Sequence, residues 1–96
     1  MAKKVLTTEQ RLRMLETPKA PVDLVIDTDA YNEIDDQFAI AYALCAPERV
    51  RLLALCAAPF TNARSTGPAD GMEKSYQEIL HLLSLTGDKV PAYRGS

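Results

Sequence analysis

The stretch VDLVIDTDAYNEIDDQFAIAYALCA, residues 22–46, decides the fold. Val22 to Ile26 is a short β-branched run suited to a strand, and it delivers Asp27 at its C-terminal end. Thr28 to Ile34 is polar and reads as a loop. Asp35 to Ala46 reads as a helix closed by Pro47, with Phe38, Ala41, Tyr42 and Cys45 at i, i+3, i+4, i+7 as its expected buried face.

Downstream the alternation repeats. Val50 to Ala57 is an apolar run of the kind expected for a strand buried on both faces of a parallel sheet. Pro59 to Gly67 is rich in turn formers. Asp70 and Glu73 have capping-box spacing and open a predicted helix at about 71–86, with Met72, Tyr76, Ile79, Leu80 and Leu83 as its apolar face. Gly87 fits the position just past that helix. Strands are therefore expected near 22–27, 50–57 and 89–93. Upstream, Thr7 to Leu15 reads as a short helix in which Thr7 and Gln10 form a capping box, and Pro18 and Pro21 break the chain after it. The order α-β-α-β-α-β implies an α/β, Rossmann-like parallel sheet with flanking helices and right-handed crossovers. Residues 1–21 form a helical leader, and 22–96 the α/β unit.

Composition sets the outer bounds. The chain has 96 residues, 47% apolar and 25% charged, with a formal net charge of −2, an ordinary globular composition. Lys3, Lys4, Arg11 and Arg13 are interleaved with Glu9 and Glu16, so the clustered basic surface of a nucleic-acid partner is missing. No stretch is long and apolar enough to span a bilayer, and residues 1–20 have no apolar core of a secretory signal. No membrane partner and a cytoplasmic, reducing setting are expected. Cys45 and Cys56 fall inside apolar runs and read as small core residues, not as a disulfide or metal pair.

The chemistry concentrates in Asp27-Thr28-Asp29-Ala30-Tyr31-Asn32-Glu33-Ile34-Asp35-Asp36, four aspartates and a glutamate within ten residues. Their mutual repulsion requires compensation from solvent, from the positive end of the following helix or from a divalent cation. An all-oxygen donor set suits Ca²⁺ or Mg²⁺, and the loop has neither cysteine nor histidine for zinc. Asp35 and Asp36 alone are accounted for as the acidic first turn of a helix. The Asp-x-Asp at the strand end is not. It lies beyond the C-terminal end of a parallel strand, where such sheets bind ligands.

The loop resembles the signature of the inosine–uridine-preferring nucleoside hydrolases, in which a strand ends in Asp-x-Asp and a tight turn leads to Asp-Asp at a helix start. Asp27-Thr28-Asp29 and Asp35-Asp36 match the two halves, and Gln37 to Ala41 resembles the helix. Ala58-Pro59-Phe60 with Asn62, Gly71-Met72-Glu73, Ser75-Tyr76 and Val90 to Gly95 look like one branch of the family. The common pattern has Pro-Gly and one apolar residue between the aspartate pairs. Here Ala30 to Ile34 is two residues longer and carries Asn32 and Glu33.

The resemblance implies the opening portion of a longer nucleoside hydrolase domain that uses Ca²⁺ to cleave the N-glycosidic bond of a ribonucleoside. It implies that Asp29 ligates Ca²⁺ and acts as general base on the attacking water. Asp36 is then a second ligand, Asp35 hydrogen-bonds the ribose hydroxyls, Asp27 supports from behind and Asn62 lines the sugar or base pocket. The remaining ligands, and the histidine that some members use on the leaving base, would come from later segments. His81, the one histidine, reads as a surface or structural residue. A three-stranded piece leaves sheet edges bare, so further copies of the chain are expected partners besides the nucleoside.

Two other readings are open. One is an inactive fragment or binding remnant of the same fold. The other is a phosphotransferase with Asp-x-Asp after a strand, as in haloacid-dehalogenase-like proteins. That reading leaves Asp35-Asp36 unexplained and finds Tyr31 where a Thr or Val would stand.

Overall fold

Strands β1 (Val22–Thr28) and β2 (Val50–Ala57) pair in parallel, and β3 (Ala92–Arg94) adds in parallel to β2, so the sheet order is β1-β2-β3. A computed structural model describes residues 3–96. Helix α2 (Asp35–Leu44) connects β1 to β2, and α3 (Pro68–Thr86) connects β2 to β3. The predicted α/β architecture with a parallel sheet and flanking helices is therefore observed.

The strand expected over 89–93 begins later, at Ala92, because Pro91 lies just ahead of it. Pro91 lacks an N–H for the ladder, and contributes only its carbonyl, which accepts from Leu55 N–H at 3.0 Å. Gly87 closes α3 with φ 75°, the left-handed conformation that glycine adopts without steric cost.

Helix α1 (Thr8–Met14) has the predicted capping box: Gln10 N–H donates to Thr7 Oγ1 and Thr7 N–H donates to Gln10 Oε1. No residue of α1 is buried, so the described part of the leader stands off the core. The leader's first two residues, Met1 and Ala2, lie outside the described residues.

The core cluster joins Ala30 after β1, Ile40 of α2, Leu55 and Ala57 of β2, and Ile79 and Leu83 of α3. Both connecting helices thus pack into one cluster with the same sheet residues. Right-handed crossovers that progress in a single direction put their helices on a single face. Covering the other face requires the strand order to reverse, and here it does not. The expectation that β2 is buried on both faces is accordingly corrected. Leu55 and Ala57 are buried while Arg51 and Leu53 are exposed, and Val25 and Tyr93 are exposed on the neighbouring strands. Leu53 also has no counterpart in β1, because the register steps from Leu24↔Leu52 to Val25↔Ala54.

Three further expectations are corrected by the same geometry. Helix α2 buries Ile40 and Ala43, whereas Phe38 and Tyr42 are 67% and 79% exposed. The apolar residues of α2 run almost all round the helix, so the spacing of the largest ones did not identify the buried side. Cys45 ends that helix exposed and Cys56 is half-buried; both are free thiols. In α3 Ile79 and Leu83 are buried and Met72 and Tyr76 pack against the core as expected, but Leu80 is exposed and the small residues Gly71 and Ser75 complete the buried stripe. This helix starts at Pro68, a residue suited to a first turn, and Asp70 accepts from Thr66 N–H instead of closing a box with Glu73. Glu73 instead pairs with Arg94, tying α3 to β3.

No helix among the described residues is long and apolar enough to cross a membrane.

Candidate functional site

The acidic loop lies at the C-terminal end of β1, as expected, and the turn leaving the strand determines where its side chains go. Thr28 and Ala30 are buried and Asp29 is half-buried. Asn32 N–H donates to the carbonyl of Asp29 at 2.8 Å, closing a four-residue turn. Tyr31 N–H donates to Ser75 Oγ at 3.3 Å, and Ser75 is fully buried in α3. The ring of Tyr31 lies 6.5 Å from that of Phe60, and Lys74 Nζ lies 5.9 Å from the centre of the Tyr31 ring. The loop is therefore held against α3 and against the segment that follows β2. That segment begins where Ala58 N–H donates to the carbonyl of Thr28 at 2.7 Å.

Each of the two predicted cation ligands has an uncharged donor. Thr28 Oγ1 donates to Asp36 Oδ2 at 2.5 Å. Asn32 Nδ2 donates to Asp29 Oδ2 at 2.8 Å. Asn32 Oδ1 in turn accepts from Asn62 Nδ2, and Asn62 Oδ1 accepts from Arg64 N–H at 2.7 Å. Asn62 is thereby linked to Asp29 through one intervening amide.

Asp35 is exposed, and its Oδ1 accepts from Asp36 N–H at 3.1 Å. That contact occupies one donor of a helix start where Ile34, the N-cap, supplies no side-chain acceptor. Asp27 and Glu33 are exposed. Among the described residues the ion pairs are Asp23–Arg51, Asp70–Lys74 and Glu73–Arg94, so none of the loop's five carboxylates is neutralised by a lysine or arginine.

A hollow of about 470 Å³ opens beside the loop, lined by Asn32, Glu33, Ile34, Gln37 and Arg64. Gln37 Nε2 donates to Glu78 Oε1 at 3.2 Å, which turns Gln37 Oε1 inward, buried and without a partner. Another hollow, of about 500 Å³, lies at the opposite end of the sheet, against Pro21, Leu44, Pro47 and Val90. Arg51 and Asp88 also line it, and none of the loop's carboxylates does.

The donor chemistry of the loop fits a hard cation: carboxylate and amide oxygens, two of the carboxylates half-buried, and no basic partner. The donor number is small. Among the described residues no three His, Cys, Asp or Glu side chains group as a metal site. His81 is exposed on α3.

Sequence reasoning passed over three residues that organise this region. They are Thr28, Asn32 and Ser75, to none of which it assigns a role; the four-residue spacing of Ser75 from Gly71 and Ile79 marks the buried stripe of α3. Comparison of the chain with family models, with curated proteins and with solved structures returned no match.

Proposed function

We propose that these residues are the opening portion of a nucleoside hydrolase domain, which in a longer chain cleaves ribonucleosides to ribose and free base with the help of Ca²⁺. The observation that carries this reading is the pair Asp29 and Asp36. Asp29 follows the end of a parallel strand and Asp36 lies in the first turn of the next helix; each accepts from a neutral donor, and among the described residues neither is neutralised by a cationic side chain. A carboxylate pair in which an ion pair served stability would have its arginine or lysine. A pair left uncompensated beside a helix start suits an incoming cation.

Asp29 and Asp36 would hold the ion, with later segments, solvent and the substrate's hydroxyls completing the six to eight oxygens that Ca²⁺ takes. When bound, the ion supplies Lewis acidity and a fixed charge at the site. The chain's own groups do the rest. Asp29, with Oδ2 engaged by Asn32, has Oδ1 to take a proton from the attacking water. Asp35 offers an exposed carboxylate oxygen to the ribose hydroxyls and so orients the sugar. The negative loop as a whole favours the positive charge that develops on the sugar as the ribosidic bond breaks.

The test is release of free base from inosine and uridine by that longer chain, with Ca²⁺ supplied and then chelated. Asp29→Ala should lower kcat by a factor of about 10³ or more, since it removes a base and a ligand together. Turnover retained in Asp29→Ala, or indifferent to chelation, would defeat the assignment. The alternative, an inactive remnant of the same fold, is favoured instead if Ca²⁺ binds and no base is released.

A further inference from the structure

We propose that Asn32, one of the residues that lengthen the acidic loop, is a positioning residue that fixes the Asp29 carboxylate and couples it to the segment between β2 and α3. The carrier is a chain of hydrogen bonds whose direction is set by chemistry at both ends. Arg64 N–H is a backbone group and can only donate. The Asp29 carboxylate, when ionised, can only accept. Between them stand two amides, Asn62 and Asn32, each with one accepting oxygen and one donating nitrogen. The observed order is Arg64 N–H to Asn62 Oδ1, Asn62 Nδ2 to Asn32 Oδ1, Asn32 Nδ2 to Asp29 Oδ2. Turning either amide over would face oxygen to oxygen or nitrogen to nitrogen at both of its contacts. The chain therefore has one self-consistent polarity, and bonds aligned head to tail in this way strengthen one another.

Both ends of the relay are anchored. The loop end is held by the turn from Asp29 to Asn32 and by Tyr31 N–H on the buried Ser75. At the far end, Asn62 N–H donates to Ser65 Oγ, which donates to the carbonyl of buried Phe60. Asn32 is the sole bridge in this path between Asp29 and Asn62. A displacement of the exposed residues Asn62 and Arg64 reaches the Asp29 carboxylate through the Asn32 side chain. Because Oδ2 is engaged by Asn32, Oδ1 is the Asp29 oxygen that the relay leaves free to accept. The consequence for cation binding rests on the function proposed above; the coupling itself does not.

The experiment uses the ¹⁵N-labelled 96-residue chain and separates the two. First, the side-chain amide protons of Asn32 and Asn62 are followed in wild type, Asn32→Ala and Asp29→Asn. The wild-type amides should be shifted from solvent values and slow to exchange. Asn32→Ala should return the Asn62 amide protons to solvent-like positions while the backbone spectrum away from the loop stays in place. If Asn32→Ala fails to fold, Asn62→Ala at its exposed site must move the Asn32 amide protons instead. Asn62 protons that ignore Asn32→Ala, or Asn32 protons that ignore Asn62→Ala, overturn the proposal.

Second, Tb³⁺ luminescence with Ca²⁺ displacement measures cation affinity. Asn32→Ala should weaken it about tenfold, the scale on which groups behind a ligand act, and Asn62→Ala should weaken it less, since the Asn32 amide stays on Asp29. Affinity unchanged in Asn32→Ala would overturn the positioning role. A wild-type chain that shows the amide coupling upholds the relay whether or not it binds a cation, and the Ca²⁺ reading is decided separately by chelation in the longer chain.

Discussion

The Thr28 hydroxyl donates to Asp36 Oδ2 at 2.5 Å, joining the last residue of β1 to the first turn of α2 across the whole acidic loop. Thr28 is 3% exposed, so its hydroxyl has little access to water and its hydrogen bond to a charged acceptor is of the stronger kind. Thr28→Val keeps the shape and removes the donor. It should cost about 1–2 kcal/mol, reduced from the full value for a charged bond because Asp36 is only half-buried. Thr28→Ser should recover most of that loss. Urea midpoints at constant slope give the measurement. A Thr28→Val midpoint equal to that of wild type would mean the bond adds nothing over solvation of the carboxylate.

Gly71 and Gly67 make opposite predictions from the same helix start. A Cβ on Gly71 would lie 2.1 Å from the Phe60 carbonyl oxygen, a backbone atom that cannot turn aside. Gly71→Ala should therefore push α3 off the segment that anchors Asn62, at a cost of about 1–3 kcal/mol or more. A Cβ on Gly67 meets nothing within 4 Å, and its backbone is extended at φ 167°. Gly67→Ala should stay within about 1 kcal/mol, the range of a lost glycine cap. Thermal melts of both variants test the contrast, and equal melting temperatures would count against the close packing of α3 on Phe60.

The pair Glu73–Arg94 gives stability a pH dependence of known sign. Arg94 holds Glu73 through two hydrogen bonds of 2.7 and 3.1 Å and stacks on Tyr76, 4.0 Å from its ring centre. The guanidinium first, and then the Gln77 amide, lower the Glu73 pKa from 4.5 to about 2. A carboxylate whose pKa is depressed by folding contributes stability above its unfolded value and loses it as pH falls toward its folded value. The loss should therefore spread from about pH 4.5 down to about 2. Glu73→Gln should flatten that part of the stability profile and leave the slope near neutrality unchanged. A Glu73→Gln profile that still falls as steeply over that window would assign the acid sensitivity to other carboxylates.

How much of this was legible follows from which physical signals are local. The strand that carries Asp27 near its end, the helix starting at Asp35, the capping box of Thr7 and Gln10 and the left-handed Gly87 all depend on a few adjacent residues, and the sequence shows them directly. The placement of Asn62 near Asp29 depends on how the segment after β2 folds back. The family resemblance implied a pocket role for Asn62 but not the Asn32 bridge, since one asparagine in a loop carries no directional signal. The apolar face of α3 was legible in Ile79 and Leu83, which are buried, and in Met72 and Tyr76, which pack on the core, whereas Gly71 and Ser75 are buried for their small size, which hydrophobic spacing does not register, and Leu80 is exposed. The open face of the sheet was misjudged because covering β2 on both sides is decided by strand order, a property of the whole chain.

The 96 residues by themselves should release no base from inosine or uridine, even with saturating Ca²⁺. Asp29 and Asp36 would give the ion two side chains against a requirement of six to eight oxygens, and among the described residues no three His, Cys, Asp or Glu side chains group as a metal site. A water at such a site would be neither strongly acidified nor held in one direction. The leaving base has no donor either, since His81 is exposed on α3 beside Leu85 and Phe38, in a groove whose lining includes no residue of the acidic loop before Ile34. Cooperating groups lose far more than their separate contributions when part of the set is missing. The measurement is free-base release by the purified chain, with Asp29→Ala as the blank. Release equal to the blank agrees with the structure. Clear turnover that vanishes in Asp29→Ala would mean that the remaining donors come from another copy of the chain. The rate would then rise with the square of protein concentration at low concentration, as it must for a site completed only in a dimer.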